Sequence, residues 1–173
     1  MAIRTILKFP DPGLREKAKP VSAFDEDLRL LAVDLAETML AAPGAGLAAP
    51  QVGVLQRVIA LAGAENGEDF DDRVLVLVNP ELTRAEGEQL YEEGCLSVQD
   101  LYEQVKRAAE VTVAFQDISG RPLEISAEGR RAVILQHEID HLDGVLFLDH
   151  ISRLKRDIYK RKLNKLRKEP DDD

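Results

Sequence analysis

One segment, Gly129–Leu142, has the sequence GRRAVILQHEIDHL and contributes most to the predicted fold. Apolar residues fill much of this stretch, which contains no proline and is too long for an average strand. We therefore predict a largely buried helix here. Its apolar positions are Ala132, Val133, Ile134, Leu135, Ile139 and Leu142.

This predicted helix carries two histidines four residues apart, His137 and His141, with Glu138 beside the first. On a helix, positions i and i+4 lie one turn apart on the same face, so both imidazoles can bind one metal ion. Glu138 is then placed to reach a water molecule on that ion. Since the chain has only 3 histidines, two surface histidines in this pattern by chance are the less favoured interpretation.

The H-E-x-x-H pattern alone leaves the class of enzyme open, because the third protein ligand defines the class. The metzincin pattern matches as far as Gly144, but Phe147 occupies the position of its third histidine. A thermolysin-like site needs a later glutamate, and the chain after His141 offers only Glu169. Cys95 is the remaining soft ligand, although a lone cysteine next to a leucine is usually a core residue.

Elements of both kinds surround the predicted helix. Apolar residues at helical spacing predict an amphipathic helix over residues 25–42, which ends before Pro43-Gly44. Residues 54–62, 73–78 and 111–115 are predicted to be strands, and Ser119-Gly120 is predicted to form a hairpin turn between residues 111–116 and 122–126. Helix, strands and then helices indicate the α+β class.

A second amphipathic helix is predicted at the C-terminal end, over residues 151–168. Its apolar stripe is expected to lie against the protein body while its basic face remains in water, and residues 171–173 are expected to be frayed. Deleting the residues after Ser152 should then leave most of the activity intact. The apolar stripe consists of Leu154, Ile158, Leu163 and Leu166.

Composition places the chain among globular proteins. With 173 residues, 45% of them hydrophobic, it can form one domain with a substantial core, residues 1–173. No stretch approaches the ~20 consecutive apolar residues of a membrane-spanning helix, and residues 1–20 are charged rather than typical of a signal peptide. A single cysteine cannot form an intramolecular disulfide, which favours a reducing compartment. We therefore expect a cytoplasmic protein with no membrane partner.

Charge is distributed unevenly along the chain. The net charge of −9 argues against DNA binding or general nucleic-acid binding. Residues 153–169, however, contain nine basic and two acidic residues, a net +7, which leaves about −16 for the rest. A basic terminal segment on an acidic body predicts a localised anionic partner.

Three short segments, taken together, resemble the peptide deformylase family. They are Gly44–Gln51 (GAGLAAPQ), Glu93–Ser97 (EGCLS) and His137–His141 (HEIDH), which match the family patterns G-Φ-G-Φ-A-A-x-Q, E-G-C-Φ-S and H-E-Φ-D-H in full, where Φ is apolar. The similarity also includes Phe9–Leu14, Val52-Gly53 and Asn79-Pro80, so it covers nearly the whole chain. It implies a small α+β domain with antiparallel sheets packed around a central metal-binding helix, plus a C-terminal helix.

The resemblance also implies the metal site and the reaction. Cys95, His137 and His141 would bind one divalent metal ion and leave a fourth position for water. Glu138 would act as general base and then as general acid. The reaction would remove the N-formyl group from the initiator methionine of nascent polypeptides and release formate.

Further roles follow from the same resemblance. The Gln51 side chain and the Leu96 backbone N–H would polarise the formyl oxygen, and Gly46 would hydrogen-bond the substrate backbone. The family favours Fe²⁺, with Zn²⁺, Ni²⁺ or Co²⁺ also suited to two imidazoles and a thiolate. The ribosome, near the exit of the nascent chain, would be the anionic partner of the basic terminal helix.

Two other functions are compatible with the same motifs. One is a peptidase that uses the same metal chemistry, for which a third histidine or glutamate ligand is missing. The other is a ribosome-associated binding module with a structural metal, but structural sites usually have four protein ligands and we find only three. We place His150 and Asp140 outside the site, the latter as a partner for a basic residue such as Arg107.

Two segments depart from the family pattern. Gln99-Asp100 replaces the proline and the small or polar residue that commonly follow the cysteine motif, and Leu101-Tyr102 come next. Arg130-Arg131 replace two apolar residues at the start of the metal-binding helix. Substrate preference beyond formyl-methionine is therefore left open by the sequence.

Overall fold

The computed structural model describes residues 2–63 and 74–168. Within these ranges the chain forms three α-helices, α1 (Glu26–Ala41), α2 (Gly129–Leu142) and α3 (Arg153–Lys168). The seven strands are β1 (Gly46–Ala48), β2 (Val58–Ala62), β3 (Val74–Glu86), β4 (Gln89–Cys95), β5 (Val98–Arg107), β6 (Glu110–Gln116) and β7 (Pro122–Glu128). This composition confirms the α+β class.

All paired strands are antiparallel and form two sheets. The larger sheet has the order β1-β2-β3-β6-β7, and the smaller one is the β4–β5 hairpin. Neighbouring strands of the larger sheet are also consecutive in sequence, except for β3 and β6. The β4–β5 hairpin is inserted between these two strands. That insertion lets the hairpin project beside α2.

Helix α2 packs on one face of the larger sheet and α1 on the other. Strand β2 is buried along its whole length: Ile59 and Leu61 belong to the cluster that contains α2, while Val58 and Ala60 belong to the cluster that contains α1. A strand buried on both faces has no polar alternation, which is why its sequence is a continuous apolar run. The central position of α2 is as predicted.

Helix α1 matches its prediction to within a residue at each end. The Asp25 side chain caps it by accepting a hydrogen bond from the Leu28 N–H (3.2 Å), as an N-cap aspartate typically does. Its buried face includes Leu28, Leu31, Leu35 and Met39. The helix ends at Ala41, shortly before Pro43-Gly44.

The strand predictions were right in kind and less accurate in length. Strand β2 begins at Val58 rather than at residue 54. Strand β3 continues to Glu86 because a register shift after Val78 lets it pass Asn79 and Pro80, whereas the prediction ended at residue 78; residue 73 lies outside the described residues. The predicted β6–β7 hairpin is confirmed, with the Asp117 carboxylate accepting hydrogen bonds from the N–H groups of Ser119 (2.8 Å) and Arg121 (3.0 Å).

Helix α3 begins two residues later than predicted, and the prediction of its buried face is correct for Leu163 but wrong for the other three residues. Leu154, Ile158 and Leu166 are 69%, 55% and 56% exposed, whereas Tyr159 is only 4% exposed. The helix is held by Tyr159 and Leu163, four residues apart, which contact the cluster of residues around the β4–β5 hairpin. Tyr159, whose hydroxyl can also form a hydrogen bond, is therefore buried where leucines were expected. The prediction for residues 171–173 lies outside the described residues.

None of the described helices is both long enough and apolar enough to cross a membrane.

Candidate metal centre

Helix α2 presents the two histidines to the interior, as its spacing predicts. His137 and His141 are 8% and 1% exposed, and their Nε2 atoms lie 3.3 Å apart. Glu138, between them in sequence, is 4% exposed. The apolar run that buries α2 therefore also buries its polar motif.

The third candidate metal ligand belongs to the β4–β5 hairpin. Cys95 ends β4 and pairs with Val98 at the start of β5, so Leu96 and Ser97 form a two-residue turn. The Cys95 Sγ atom lies 3.3 Å from His141 Nε2. One donor atom each from Cys95, His137 and His141 fall within 4.8 Å of one another. The structure thus brings together the three residues that the sequence predicted as ligands.

The chemistry of these donors fits a divalent transition-metal ion. Thiolate and imidazole are the donors that Zn²⁺, Fe²⁺, Co²⁺ and Ni²⁺ prefer, and three protein ligands with an open position are typical of catalytic rather than structural sites. Burial lowers the pKa of His141 well below its ordinary value, so its ring is neutral and can bind a metal. Burial would also lower the pKa of His137, but the charge of Cys95 and a hydrogen bond with Glu93 raise it well above the ordinary value. A bound cation would take the place of the proton that this negative charge attracts.

A buried ion-pair network orients His137. The Nδ1 atom of His137 is 2.8 Å from Glu93 Oε1, and Arg107 donates two hydrogen bonds to the same carboxylate (2.8 and 3.0 Å). Burial would raise the pKa of Glu93, but the hydrogen bonds from His137 and Arg107 and the charge of Arg107 lower it to about 2. A charged Glu93 fixes the ring so that Nε2 faces the other donors, the usual arrangement around a metal-binding histidine.

The network continues to Asp140 and His150, the two residues that sequence reasoning left outside the site. Arg107 donates to Asp140 (2.6 Å), which confirms the predicted pair, and His150 Nε2 lies 2.9 Å from the same carboxylate. His150 is therefore not among the clustered donors. The sequence did not identify Glu93 and Arg107 as functional: Glu93 stands in a recognised motif, but nothing near Arg107 in sequence marks it.

Glu138 is buried against the backbone of β1. A Cβ atom at Gly46 would lie 2.6 Å from Glu138 Oε1, so any side chain there would displace the Glu138 carboxylate. Among the described residues, none hydrogen-bonds to Glu138 Oε2. Burial raises the pKa of Glu138 to about 7, opposed by the charge of His137 and assisted by that of Glu93. A buried carboxylate with an unused oxygen beside three metal donors is suited to proton transfer.

The Gln51 side chain reaches the same region from the short 3-10 helix Ala49–Val52. Its Oε1 accepts a hydrogen bond from the Ala48 N–H (2.9 Å), which orients the amide. Its Nε2 donates to Ser97 Oγ (3.1 Å) and lies 3.7 Å from Cys95 Sγ. Because Gln51 is only 1% exposed, its NH₂ group is held close to the donor cluster.

A cavity of about 370 Å³ opens onto these groups. Val133 and Ile134 of α2 form an apolar part of its wall, as expected, and Arg130 is part of its lining. Residues 99–102, which depart from the family pattern, belong to strand β5, and of these Tyr102 lines the cavity. The other lining residues are Pro43, Gly44, Ala45, Gly46, Gln51, Tyr91, Glu92, Glu93, Gly94, Cys95, Leu96, His137 and Glu138.

An α+β domain in which a Cys-His-His cluster lies beside a buried carboxylate fits the class of metal-dependent hydrolases. Residues 3–157 match the family model described as polypeptide deformylase. The chain is 53% identical over 166 residues to the peptide deformylase of Alkalilimnicola ehrlichii, covering 96% of this chain and 92% of that one. It is 49% identical over 165 residues to the enzyme of Desulfotalea psychrophila, covering 95% and 97%.

Solved structures agree with the sequence comparisons. The crystal structure of a peptide deformylase from Legionella pneumophila superposes with a TM-score of 0.87 at 47% identity, covering 98% of this chain and 100% of that one. The chain belongs to the peptide deformylase family. Its function is that of the family, metal-dependent hydrolysis that deformylates nascent peptides. This finding confirms the resemblance and displaces the peptidase and binding-module alternatives.

Proposed function

We propose that Cys95, His137 and His141 hold one divalent metal ion at which the N-formyl group of the initiator methionine is hydrolysed. The supporting observation is the convergence of their donor atoms within 4.8 Å of one another, beside the buried Glu138 carboxylate. An ion held there would lower the pKa of a bound water molecule toward ~7 and would polarise a carbonyl oxygen.

Glu138 moves the proton in this proposal. Its carboxylate accepts a proton from the attacking water as the water oxygen bonds to the formyl carbon. It then donates that proton to the amine nitrogen as the C–N bond breaks. The products are formate and a peptide with a free N-terminal amine. The position of Glu138 against Gly46, with no described donor at Oε2, supports this role.

Gln51 and Leu96 stabilise the negative charge that develops on the formyl oxygen. The Gln51 Nε2 atom lies 3.7 Å from Cys95 Sγ, and the Leu96 N–H belongs to the peptide that follows Cys95 in the turn. One donor of this kind is typically worth ~10²–10³-fold in kcat. Both donors are held before substrate arrives, which is the condition under which such stabilisation is effective.

The cavity supplies a place for the substrate. The backbone of Gly46 hydrogen-bonds the peptide, and the methionine side chain lies against Val133 and Ile134. Support comes from the lining of the cavity, which includes all three residues and Glu138. Arg130 and Tyr102 line the same cavity, and side chains after the methionine are expected to meet them.

The deformylase activity is tested with two matched peptides, formyl-Met-Ala-Ser and acetyl-Met-Ala-Ser, by measuring the release of formate or acetate. We expect turnover of the formyl peptide and at least 100-fold slower release from the acetyl peptide, because a methyl group must displace the attacking water. Equal rates would indicate a general amidase and would contradict the proposed specificity.

Fe²⁺ is the metal ion that we propose for the cell. The two imidazoles and one thiolate also suit Zn²⁺, Co²⁺ and Ni²⁺, so availability influences occupancy. The identity is tested by metal analysis of protein purified without oxygen. Zinc as the main metal in fully active protein would contradict the assignment to Fe²⁺.

We also propose that α3 binds the ribosome and that the enzyme works in the cytoplasm, where nascent chains emerge. Eight exposed basic residues support this surface: Arg153, Lys155, Lys160, Arg161, Lys162, Lys165, Arg167 and Lys168. The contacts of Tyr159 and Leu163 with the cluster of residues around the β4–β5 hairpin support one domain over residues 1–173. Those contacts also make deletion after Ser152 a poor test, because it would remove a buried side chain.

Charge reversal is the better test of ribosome binding. The variant Lys162→Glu/Lys165→Glu changes two exposed positions of α3, and Lys17→Glu/Lys106→Glu changes two exposed positions elsewhere by the same charge. We expect the first pair to lose co-sedimentation with ribosomes at low salt and the control pair to retain most of it. Equal co-sedimentation of both variants would exclude α3 as the binding surface.

A further inference from the structure

An N-terminal segment, Leu7–Phe9, connects the two elements that carry the proposed charge-stabilising groups. The Leu7 N–H donates to the backbone carbonyl of Gln51 (2.7 Å), the residue whose side-chain amide is one of the proposed charge-stabilising groups. The Phe9 N–H donates to the Ser97 carbonyl (2.7 Å) in the β4–β5 turn. Three consecutive residues therefore span the distance between Gln51 and the turn.

The middle residue of this segment uses its side chain. Lys8 Nζ donates to the Leu96 carbonyl at 2.5 Å. Together, Lys8 and Phe9 hold the carbonyls of both residues of the two-residue turn. A charged donor forms a stronger hydrogen bond than a neutral one, although solvent screens the charge of this exposed side chain.

Holding these carbonyls restricts the direction of the Leu96 N–H. Because peptide units are planar, the turn can change its conformation only by rotation about the φ and ψ angles of its residues. Fixing the Leu96–Ser97 peptide and the Ser97 carbonyl removes most of that freedom. The bond from Gln51 Nε2 to Ser97 Oγ (3.1 Å) joins the turn to the second proposed donor.

We propose that Lys8 is a positioning residue for deformylation, which holds the Leu96–Ser97 turn so that the Leu96 N–H and Gln51 Nε2 face the same point. This inference rests on the proposed roles of Leu96 and Gln51. Lys8 touches no reacting atom and acts through the turn. Its loss leaves the three metal donors and Glu138 unchanged and loosens the donors that meet the developing charge.

The kinetic consequence is a loss of kcat with little change in KM. Charge on the formyl oxygen is larger in the transition state than in the bound substrate, so misdirected donors weaken the transition state selectively. Removing a donor outright costs ~10²–10³-fold, and loosening one costs less. We expect roughly a tenfold fall in kcat when the ammonium is lost.

The experiment compares three variants of the full-length protein, Lys8→Met, Lys8→Arg and Lys17→Met, which are loaded with Fe²⁺ without oxygen for kinetics and with Zn²⁺ for NMR. Methionine keeps the length of the side chain without the charge, arginine keeps a cationic donor, and Lys17 is an exposed lysine outside the Leu7–Phe9 segment. For each variant, kcat and KM on formyl-Met-Ala-Ser, zinc content and thermal unfolding are measured. The backbone amide resonances of Leu96 and Ser97 are compared with those of the parent by ¹H–¹⁵N NMR.

We expect Lys8→Met to lose kcat about tenfold, with KM within twofold, zinc content unchanged and the Leu96 amide resonance shifted. Lys8→Arg should recover at least half of the parental kcat, and Lys17→Met should match the parent. A parental kcat or an unshifted Leu96 resonance in Lys8→Met would overturn the proposal, as would an equal loss in Lys17→Met or in Lys8→Arg. An inactive parent would instead refute the proposed function itself.

Discussion

Helix α2 and the β4–β5 hairpin contribute to the same proposed metal centre in different ways. The helix contributes His137, Glu138 and His141 from little more than one turn, so their spacing follows from helical geometry alone. The hairpin contributes Cys95, but also Glu93 and Arg107, whose contacts cross between strands and reach α2. The helix supplies most of the reactive groups, and the hairpin determines how they are oriented.

The largest expected effect lies on the helix. Glu138→Gln preserves size and removes the proton acceptor, so the variant should keep its metal and lose ~10²–10⁴-fold in kcat. Glu124→Gln, at an exposed position of β7, is the control and should match the parent. Steady-state kinetics and metal content check this prediction, and parental turnover by Glu138→Gln would show that another group moves the proton.

The next effect tests the single ligand that the hairpin provides. Cys95→Ser replaces a thiolate by a poorer ligand and should release metal on dialysis against a weak chelator, with activity lost in proportion. The iron-loaded parent should also lose activity in peroxide, because a thiolate is the side chain most readily oxidised. Full metal occupancy of the serine variant after dialysis would remove Cys95 from the ligand set.

A smaller effect is expected at Arg107, a residue of the hairpin that is not a proposed metal ligand. Arg107→Met leaves the Glu93 carboxylate, only 3% exposed, without its cationic partner. Metal affinity should fall ~10–100-fold, as for other losses behind a ligating histidine, and the protein should be less stable. Arg121→Met, at a side chain that is 72% exposed, should change neither quantity. Equal metal affinity in both variants would show that the helix orients His137 without the hairpin.

The smallest effect concerns the contact between the hairpin and α3. The Tyr159 hydroxyl donates to the Gln99 carbonyl (2.8 Å) in β5. Tyr159→Phe keeps the ring in place and removes this bond, which should lower the free energy of unfolding by about 1 kcal/mol. Urea denaturation with an unchanged m-value checks the effect. A loss of metal affinity in this variant would instead mean that α3 supports the metal centre through the hairpin.

The same two regions show how much of the structure the sequence predicts. Both ends of α2 were predicted correctly, because its apolar period is local and Gly129 begins it. The β4–β5 hairpin was not predicted, since its strands are rich in charged residues and half exposed, and their pattern resembles a solvated loop. Most of the apolar face of α3 was misassigned for a related reason: which face is buried depends on the apolar cluster around the hairpin, which Tyr159 and Leu163 contact, rather than on the helix itself.

The candidate site follows the same division. Some site residues belong to motifs whose chemistry can be inferred from residue type and spacing. These residues are Cys95, His137, Glu138 and His141. Arg107 has no such signal, because its role exists only through contacts with Glu93, 14 residues away, and with Asp140, 33 residues away. Local sequence therefore identifies the reactive groups, and the folded structure is needed to find the residues that orient them.

The most direct test of the account is a metal titration of the chelator-treated protein. Formate release from formyl-Met-Ala-Ser is measured while Fe²⁺ is added without oxygen, with Zn²⁺ and Ni²⁺ in parallel. We predict that the metal-free protein is inactive and that activity rises linearly to a plateau at one ion per chain, with no such rise in Cys95→Ser at the same concentrations. Full activity of the metal-free protein, or a plateau at two ions, would contradict a single Cys-His-His metal centre as the site of deformylation.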